Sequence, residues 1–337
     1  HTRALSGTPN AGNWLAYTAG EWAIVRDTHR GESIQVTVRA LSSSMPTFAG
    51  TGAPITVWLT EQDVEGGLYY WASSSMVGPG GIYRHDMARP GEPAEPFYTK
   101  AQSPGGRCVA CHALSREGDR MLITYDGGDG AASLVDVATR TETLATDGTF
   151  HWNFAAFEPG GDRFVSVFHG AMVLRTSSDG SVVTAVPTPG YGSHPDFSPA
   201  GDAIVYVQVA SPSSDWSFAG GTIVVQPFDP STATFGAATV LVENTGQNNY
   251  YPSWSPDGAW ILFNRSSEDA YDDASAELWV VPADGAQAPA RLDTPNVGPG
   301  RTNSWGRWAP FAQEAAGGAC GVVLRVRQYP FHAILPP

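Results

Sequence analysis

The sequence predicts an all-β chain assembled from repeated four-stranded units. A strand–turn–strand pattern recurs from Ala110 (ACHALSREGDRMLITY), Asn153 (NFAAFEPGGDRFVSVF), Ser193 (SHPDFSPAGDAIVYVQ) and Tyr250 (YYPSWSPDGAWILFNR). Each copy is a short strand ending on an apolar residue (Leu114, Phe157, Phe197 or Trp254), a Gly-containing turn and an apolar strand. No segment carries a long apolar stripe of helical period. The composition agrees: 38 Gly and 26 Pro among 337 residues punctuate many short strands, and 11 Trp suit sheets packed face to face.

In chain order, residues 1–50 read as an N-terminal β segment. EWAIVRDTHRGESIQVTVRAL, from Glu21, reads as a hairpin with Ile34, Val36 and Val38 on one buried face. It is either a β-sandwich-like remnant or a set of strands that completes the last repeat. ITVWLT, LYYWASS and GIYRHDMARPGEPAEPFYT then suggest one unit without the turn signature. The four repeats follow. Each is completed by a second strand pair, within SLVDVATRTETLA, AMVLRTSSDGSVVTAV, TIVVQPFDPSTATFGAATVLV and ELWVVPADGAQAPARL. SWGRWAPF, from Ser304, keeps the first strand of the pattern and loses the turn glycine. The last unit, ending VVLRVRQYPFHAILPP, is short and is open to closure by N-terminal strands. Units of about 40 to 57 residues have the size of propeller blades. Residues 51–337 are therefore read as a β-propeller of about six blades, with five or seven as alternatives.

PDFSPAGDAIVYV and PSWSPDGAWILF resemble the repeats of TolB-type β-propellers, over roughly residues 60 to 310. The resemblance implies a propeller fold and an exported, periplasmic or extracellular location. The chain also resembles a subset of such bacterial propellers that carries C-x-x-C-H inside one repeat. The resemblance does not fix a function, because propellers host many. The chain opens HTRALSGTPN, which reads as a mature or truncated start from which an export signal has been removed. No apolar run reaches the length of about 20 residues that spans a bilayer, so direct membrane insertion is not expected. The formal net charge of −14 argues against nucleic acid or an anionic membrane as the main partner. That acidity suits solubility and, on a sharper reading, a basic redox partner.

GGRCVACHALSREGD, Gly105 to Asp119, holds the motif with most chemistry. C-x-x-C-H is the spacing that attaches a c-type haem: thioethers on Cys108 and Cys111, and His112 as proximal iron ligand. Arg107 is a candidate partner for a haem propionate. A redox dithiol or disulfide, or part of a metal site, are the other readings of the pair. A zinc site needs a second ligand pair, and none is visible in the sequence. A thioredoxin-like motif needs a βαβ context that an all-β region lacks. Cys320 is left over and reads as a small buried hydrophobe.

Aligning the repeats puts Cys111 where His194 stands, and the resemblance to TolB-type blades implies that this is the entry to the innermost strand, at the rim of the central channel. His194 is the first candidate for the distal iron ligand, His151 the second and His169 the third, with Met172 the best methionine. Tyr250, Tyr251 and Trp305 fall at the matching points of other repeats, whereas His29, His85 and His332 look remote. Two acidic loops, YDGGDG with Asp126 and Asp129, and SSEDAYDDASAE with Asp269, Asp272 and Asp273, are candidate Ca2+ sites or simply solvated loops. Neither matches the full EF-hand pattern. No G-x-S-x-G elbow is present, and the glycine-rich stretches lack the Lys-Ser or Lys-Thr of a phosphate loop.

These residues lead to three expectations. The first is an exported monohaem c-type cytochrome on a propeller scaffold, passing electrons to a redox partner or within a larger complex. The second is a haem-free propeller acting as a protein-binding scaffold. The third is a haem enzyme with an open iron site.

Overall fold

The computed structural model describes residues 18–41, 47, 49–59, 61, 66–73, 79–89, 91–144, 148–293, 295–296, 302–309, 313–315, 318–320 and 323–328. The chain divides into two compact units. The first comprises His1–Gly66, Asp86–Pro93 and Gln313–Cys320, and the second comprises Gly67–His85, Ala94–Ala312 and Gly321–Pro337.

The first unit departs from the expected hairpin. Helix α1 (Ala19–Thr28) occupies its first half. Thr18 is the N-cap: its hydroxyl accepts from the Glu21 N–H at 3.2 Å, and the Glu21 carboxylate accepts from the Thr18 N–H at 2.8 Å. This reciprocal box satisfies two amides that the first turn leaves unpaired, and it overrides the weak alternation that suggested strand. The strands β1 (Ser33–Val36), β2 (Arg39–Leu41), β3 (Ala49–Thr51) and β4 (Ile55–Trp58) then form two antiparallel pairs, β1 with β4 and β2 with β3. Ile34 and Val36 are half-buried as the alternation predicts, but Val38 is 61% exposed. ITVW pairs with β1 rather than with the sheet that follows. It therefore belongs with the N-terminal unit, which extends past residue 50.

The second unit is a series of small antiparallel sheets in a propeller-like arrangement. The first sheet has three strands, β5 (Gly67–Ala72), β6 (Gly81–Asp86) and β7 (Glu95–Thr99). The second contains β8 (Val109–Leu114), β9 (Arg120–Tyr125), β10 (Ala132–Asp136) and β11 (Thr141–Glu142). The third contains β12 (Phe154–Phe157), β13 (Arg163–Phe168), β14 (Ala171–Thr176) and β15 (Val182–Ala185). The fourth contains β16 (Tyr191–Phe197), β17 (Ala203–Pro212), β18 (Phe218–Asp229), β19 (Thr234–Phe235) and β20 (Thr239–Val242). The fifth contains β21 (Asn248–Trp254), β22 (Trp260–Ser266), β23 (Glu277–Pro282) and β24 (Ala290–Arg291). In the sixth, β25 (Thr302–Trp308) pairs with β28 (Val323–Gln328). A hairpin of β26 (Gln313–Ala315) and β27 (Gly318–Cys320) lies between them in sequence and is counted with the first unit. Among the described residues the N-terminal strands pair with one another, and β25 takes its partner from its own C-terminal side. Consecutive innermost strands pack side by side: β5 on β8, β8 on β12, β12 on β16, β16 on β21 and β21 on β25.

The repeat turn explains why these sheets form where they do. In three copies a serine hydroxyl accepts the N–H that opens the next strand: Ser115 from Arg120 at 3.0 Å, Ser198 from Ala203 at 3.1 Å and Ser255 from Trp260 at 2.9 Å. The glycine of each turn, Gly118, Gly161, Gly201 or Gly258, sits at φ between 71° and 74°, a conformation that a side chain resists. Successive turns also stack. A Cβ on Gly201 would lie 3.4 Å from Pro159, and one on Gly258 would lie 3.4 Å from Pro199. The second strands are buried on both faces, as Met121–Ile123 and Ile204–Val207 show with exposures of 0–1%. Their runs are therefore continuously apolar rather than alternating.

Candidate functional site

The innermost strands converge on a small cavity lined by Cys111, His112, Phe154, His194, Tyr251, Trp305 and Arg307 among others. A β-bulge places several of these side chains. In β16, β21 and β25 the pairing register shifts between Ser193 and Asp196, Tyr250 and Ser253, and Ser304 and Arg307. The first unpaired residues, His194, Tyr251 and Trp305, have φ of 48°, 50° and 53°. In β8 the shift lies between Val109 and His112, one residue earlier relative to the turn serine, so His112 rejoins the ladder opposite Ile123. Counted back from Ser115 and Ser198, Cys111 and His194 hold the same position, and both line the cavity, as the repeat alignment anticipates.

Aromatic rings fill the axis. The Phe154 and His194 rings are 4.2 Å apart, His194 and Tyr251 4.1 Å, and Tyr251 and Trp305 4.6 Å and nearly parallel. Phe154, from a strand without a bulge, is the member that sequence reasoning missed. Its only signal was its place in the repeat register. The cavity left among these residues is about 30 Å³, the space of about one water.

Burial sets the protonation of this cluster. It holds the His112 pKa down to about 4, with the nearby Arg307 pushing the same way and the Tyr69 carbonyl, 3.5 Å from Nε2, pulling it up. It lowers His194 well below the ordinary imidazole value and raises the Cys111 thiol. His194 is 4% exposed; its Nδ1 accepts from the Tyr251 N–H at 3.4 Å, and its Nε2 is buried with no hydrogen-bond partner. Asp196 is half-buried, 3.4 Å from Arg307; desolvation raises its pKa and Arg307 opposes the rise.

The other sequence candidates lie elsewhere. Cys108 is exposed ahead of β8, and its N–H donates to Asp126 at 3.1 Å. Arg107 Nε is 3.8 Å from Asp126, while its Nη1 is buried without a partner. The two ring nitrogens of His151 face the carbonyls of Gly130 and Gly148, at 3.2 and 2.8 Å, and whichever carries the proton donates to its carbonyl. His169 is exposed and paired with Asp129 at 3.0 Å, and Met172 is a core residue at 2% exposure. Of the four distal-ligand candidates, His194 alone lines the axial cavity. His29 lies in the first unit, bonded to Glu32 at 3.1 Å, and His85 is half-buried on β6. His332 and the Cys320 side chain fall outside the described residues.

Carboxylates of both acidic loops already accept hydrogen bonds from the protein: Asp126 from the Cys108 N–H and Asp129 from the Asn153 amide. Asp273 accepts from Ser275 and Glu268, and Asp269 from Tyr271 and Ser217. Among the described residues no group of three or more His, Cys, Asp or Glu side chains is arranged to hold a metal ion. A residue without a sequence signal, Asp215, is 1% exposed in the β17–β18 loop. Its carboxylate accepts from the His169 and Gly170 N–H groups, the Asn153 amide and the Tyr191 hydroxyl, at 2.6–2.8 Å.

No protein-family model matches the chain, and no curated protein does. Solved structures similar to it include a TolB from Agrobacterium tumefaciens, 18% identical, TM-score 0.44, covering 64% of this chain and 73% of that one. TolB from Acinetobacter baumannii is 19% identical with TM-score 0.45, covering 74% of this chain and 57% of that one. Kuenenia stuttgartiensis hydrazine synthase is 13% identical with TM-score 0.39, covering 63% of this chain and 59% of that one. At this similarity the propeller-like architecture rests on the sheet order and repeat turns described above.

A c-type haem can be tested against this geometry. Three donors are of the right kind, two thiols that are not disulfide-bonded and a His112 imidazole held neutral; His194, whose Nδ1 accepts from the Tyr251 N–H, carries its proton on Nε2 and would have to change tautomer to ligate there. The space is not of the right size. A cofactor pocket of about 300–1,000 Å³ is needed, and the cavity beside Cys111, His112 and His194 offers about 30 Å³. The axial cavity by itself is smaller than the macrocycle, and Cys108, exposed ahead of β8, lies outside its lining.

Proposed function

We propose that this chain is an exported propeller that works as a protein-binding scaffold. The observation that carries the reading is the filled axis: Phe154, His194, Tyr251 and Trp305 close the centre of the second unit, so its surface loops, rather than a channel pocket, are what it offers a partner. No helix among the described residues is long and apolar enough to cross a membrane.

A second reading has its own support in the C-x-x-C-H spacing and the unpartnered Nε2 of His194. It is a monohaem c-type cytochrome, with haem on Cys108 and Cys111, His112 as proximal ligand, His194 or His151 as distal ligand, Arg107 near a propionate, and a redox partner or larger assembly to receive the electron. Bound haem would supply one-electron transfer. A single centre cannot wire electrons far, which is why this reading needs a docked partner.

One experiment separates the two. The chain is produced in a host with c-type maturation machinery, and its absorption is recorded oxidised, reduced and as the denatured pyridine haemochrome. Haem-free protein whose melting temperature is unchanged by Cys108→Ser with Cys111→Ser supports the scaffold. Covalent haem with sharp reduced bands, shifted in His194→Ala, replaces the scaffold reading with the cytochrome.

A further inference from the structure

The C-x-x-C-H motif enters β8 through the displaced bulge, and the bulge decides what the two sulfurs can reach. In a regular strand, residues three apart point to opposite faces and lie about 10 Å apart. A disulfide needs a Cα spacing of about 4.4–6.8 Å, so cysteines in such a strand cannot be joined. Cys108 and Cys111 are placed differently. Val109 pairs with Tyr125 and His112 with Ile123, so Ala110 and Cys111 stand together opposite the single residue Thr124. Cys108 lies opposite Asp126, whose N–H donates to the Cys108 carbonyl at 2.8 Å. The Thr124 hydroxyl donates to the Cys111 carbonyl at 3.5 Å and is bonded to the Cys111 thiol.

The extra residue therefore returns both cysteines to one face of the sheet, the face of Thr124 and Asp126. It also shortens their span to that of two residues on the neighbouring strand, about 6.6 Å. The place of the bulge matters. In β16, β21 and β25 it falls one residue later relative to the repeat turn. A bulge at that place in β8 would set Cys111 opposite Ile123, on the other face from Cys108. Exposure separates the roles of the two thiols: Cys108 is exposed, and Cys111 is half-buried at the axial cavity.

We propose that Cys108 and Cys111 form a reversible dithiol–disulfide pair that exchanges with small external disulfides. The Cys108 thiolate attacks a disulfide such as glutathione disulfide, forms a mixed disulfide and releases one glutathione. The Cys111 thiolate then attacks the Cys108 sulfur and releases the second. Two protein thiols lose two electrons and two protons, and one external disulfide becomes two thiols. The inference rests on the haem-free reading, because a thioether leaves no thiol to oxidise.

Arg107 and Arg116 flank the pair, so trypsin releases both cysteines on one peptide, 108–116, separate from Cys320. The full chain is made in hosts with and without haem maturation machinery, equilibrated with glutathione disulfide, alkylated, digested and mapped by mass. The expected peptide 108–116 is two hydrogens lighter than the reduced one, carries no glutathione and is restored by dithiothreitol. The oxidised chain should melt no lower than the reduced chain, and Cys111→Ser should keep one glutathione on Cys108. Glutathione or free thiols retained on the parent peptide overturn the pair alone, as does a bridge that forms only with loss of the native melting transition. Covalent haem on peptide 108–116 from the maturing host overturns the haem-free reading and the pair together.

Discussion

Asp215 is a buried carboxylate surrounded by neutral donors. It joins the β13–β14 turn, the start of β16 and Asn153 to its own loop. Asp215→Asn keeps the shape but turns an amide N–H2 toward groups that are themselves donors. The expected loss is about 3 kcal/mol of unfolding free energy, read by urea denaturation of the full chain. An unchanged midpoint would show that the loop is not held by this side chain. Two neighbouring glycines test the turn in the same way. Gly161 has φ of 74°, whereas Gly160 lies outside the left-handed region with open space beside it. Gly161→Ala should cost about 1 kcal/mol and Gly160→Ala close to nothing. Equal effects would dissociate the turn's stability from its backbone conformation.

At the scale of the element, the repeats were legible because one chemistry recurs at one spacing. A serine acceptor, a glycine in the left-handed region and an apolar strand all point to the same local structure, and strands lie over each segment the pattern marks, although β16, β21 and β25 begin two residues earlier and the fourth sheet has a fifth strand. The helix α1 was not legible as a helix, although its T-x-x-E box stands in the sequence from Thr18 to Glu21. The alternating residues downstream outweighed that box, and only β1 from Ser33 uses them as a strand. The axial cluster was half legible. Register brought Cys111 and His194 together, but it could not show that Phe154, Tyr251 and Trp305 fill the space between strands. Packing depends on which way each bulge turns a side chain, and the bulge in β8 is displaced by one residue. Asp215 was invisible because its donors, apart from Tyr191, come from the preceding sheet, at the start of β12 and in the β13–β14 turn.

For the whole molecule, acid stability follows from the turns. Hydrogen bonds from Thr139 to Asp136, Thr176 to Asp179, Ser231 to Asp229 and Ser255 to Asp257 hold these carboxyls below their ordinary value of 3.8. A carboxyl with a depressed folded pKa contributes stability that is present above its unfolded pKa and lost as pH falls through its folded one. The unfolding midpoint should therefore hold above about pH 4 and decline below it, toward the Asp179 value of about 2. Asp196, whose pKa burial raises, works in the opposite sense. Urea titrations at a series of acid pH values check this; a midpoint that rises on acidification below pH 3.8 would contradict it. The bulges have a different kind of consequence. Because five innermost strands each send one side chain toward the centre, four of them from a bulge, the contents of the axis are written one letter per strand, as Cys, Phe, His, Tyr and Trp at 111, 154, 194, 251 and 305. The scaffold can keep its grammar while that five-letter word changes, so relatives with the same turns are free to carry an open, a metal-binding or a closed centre.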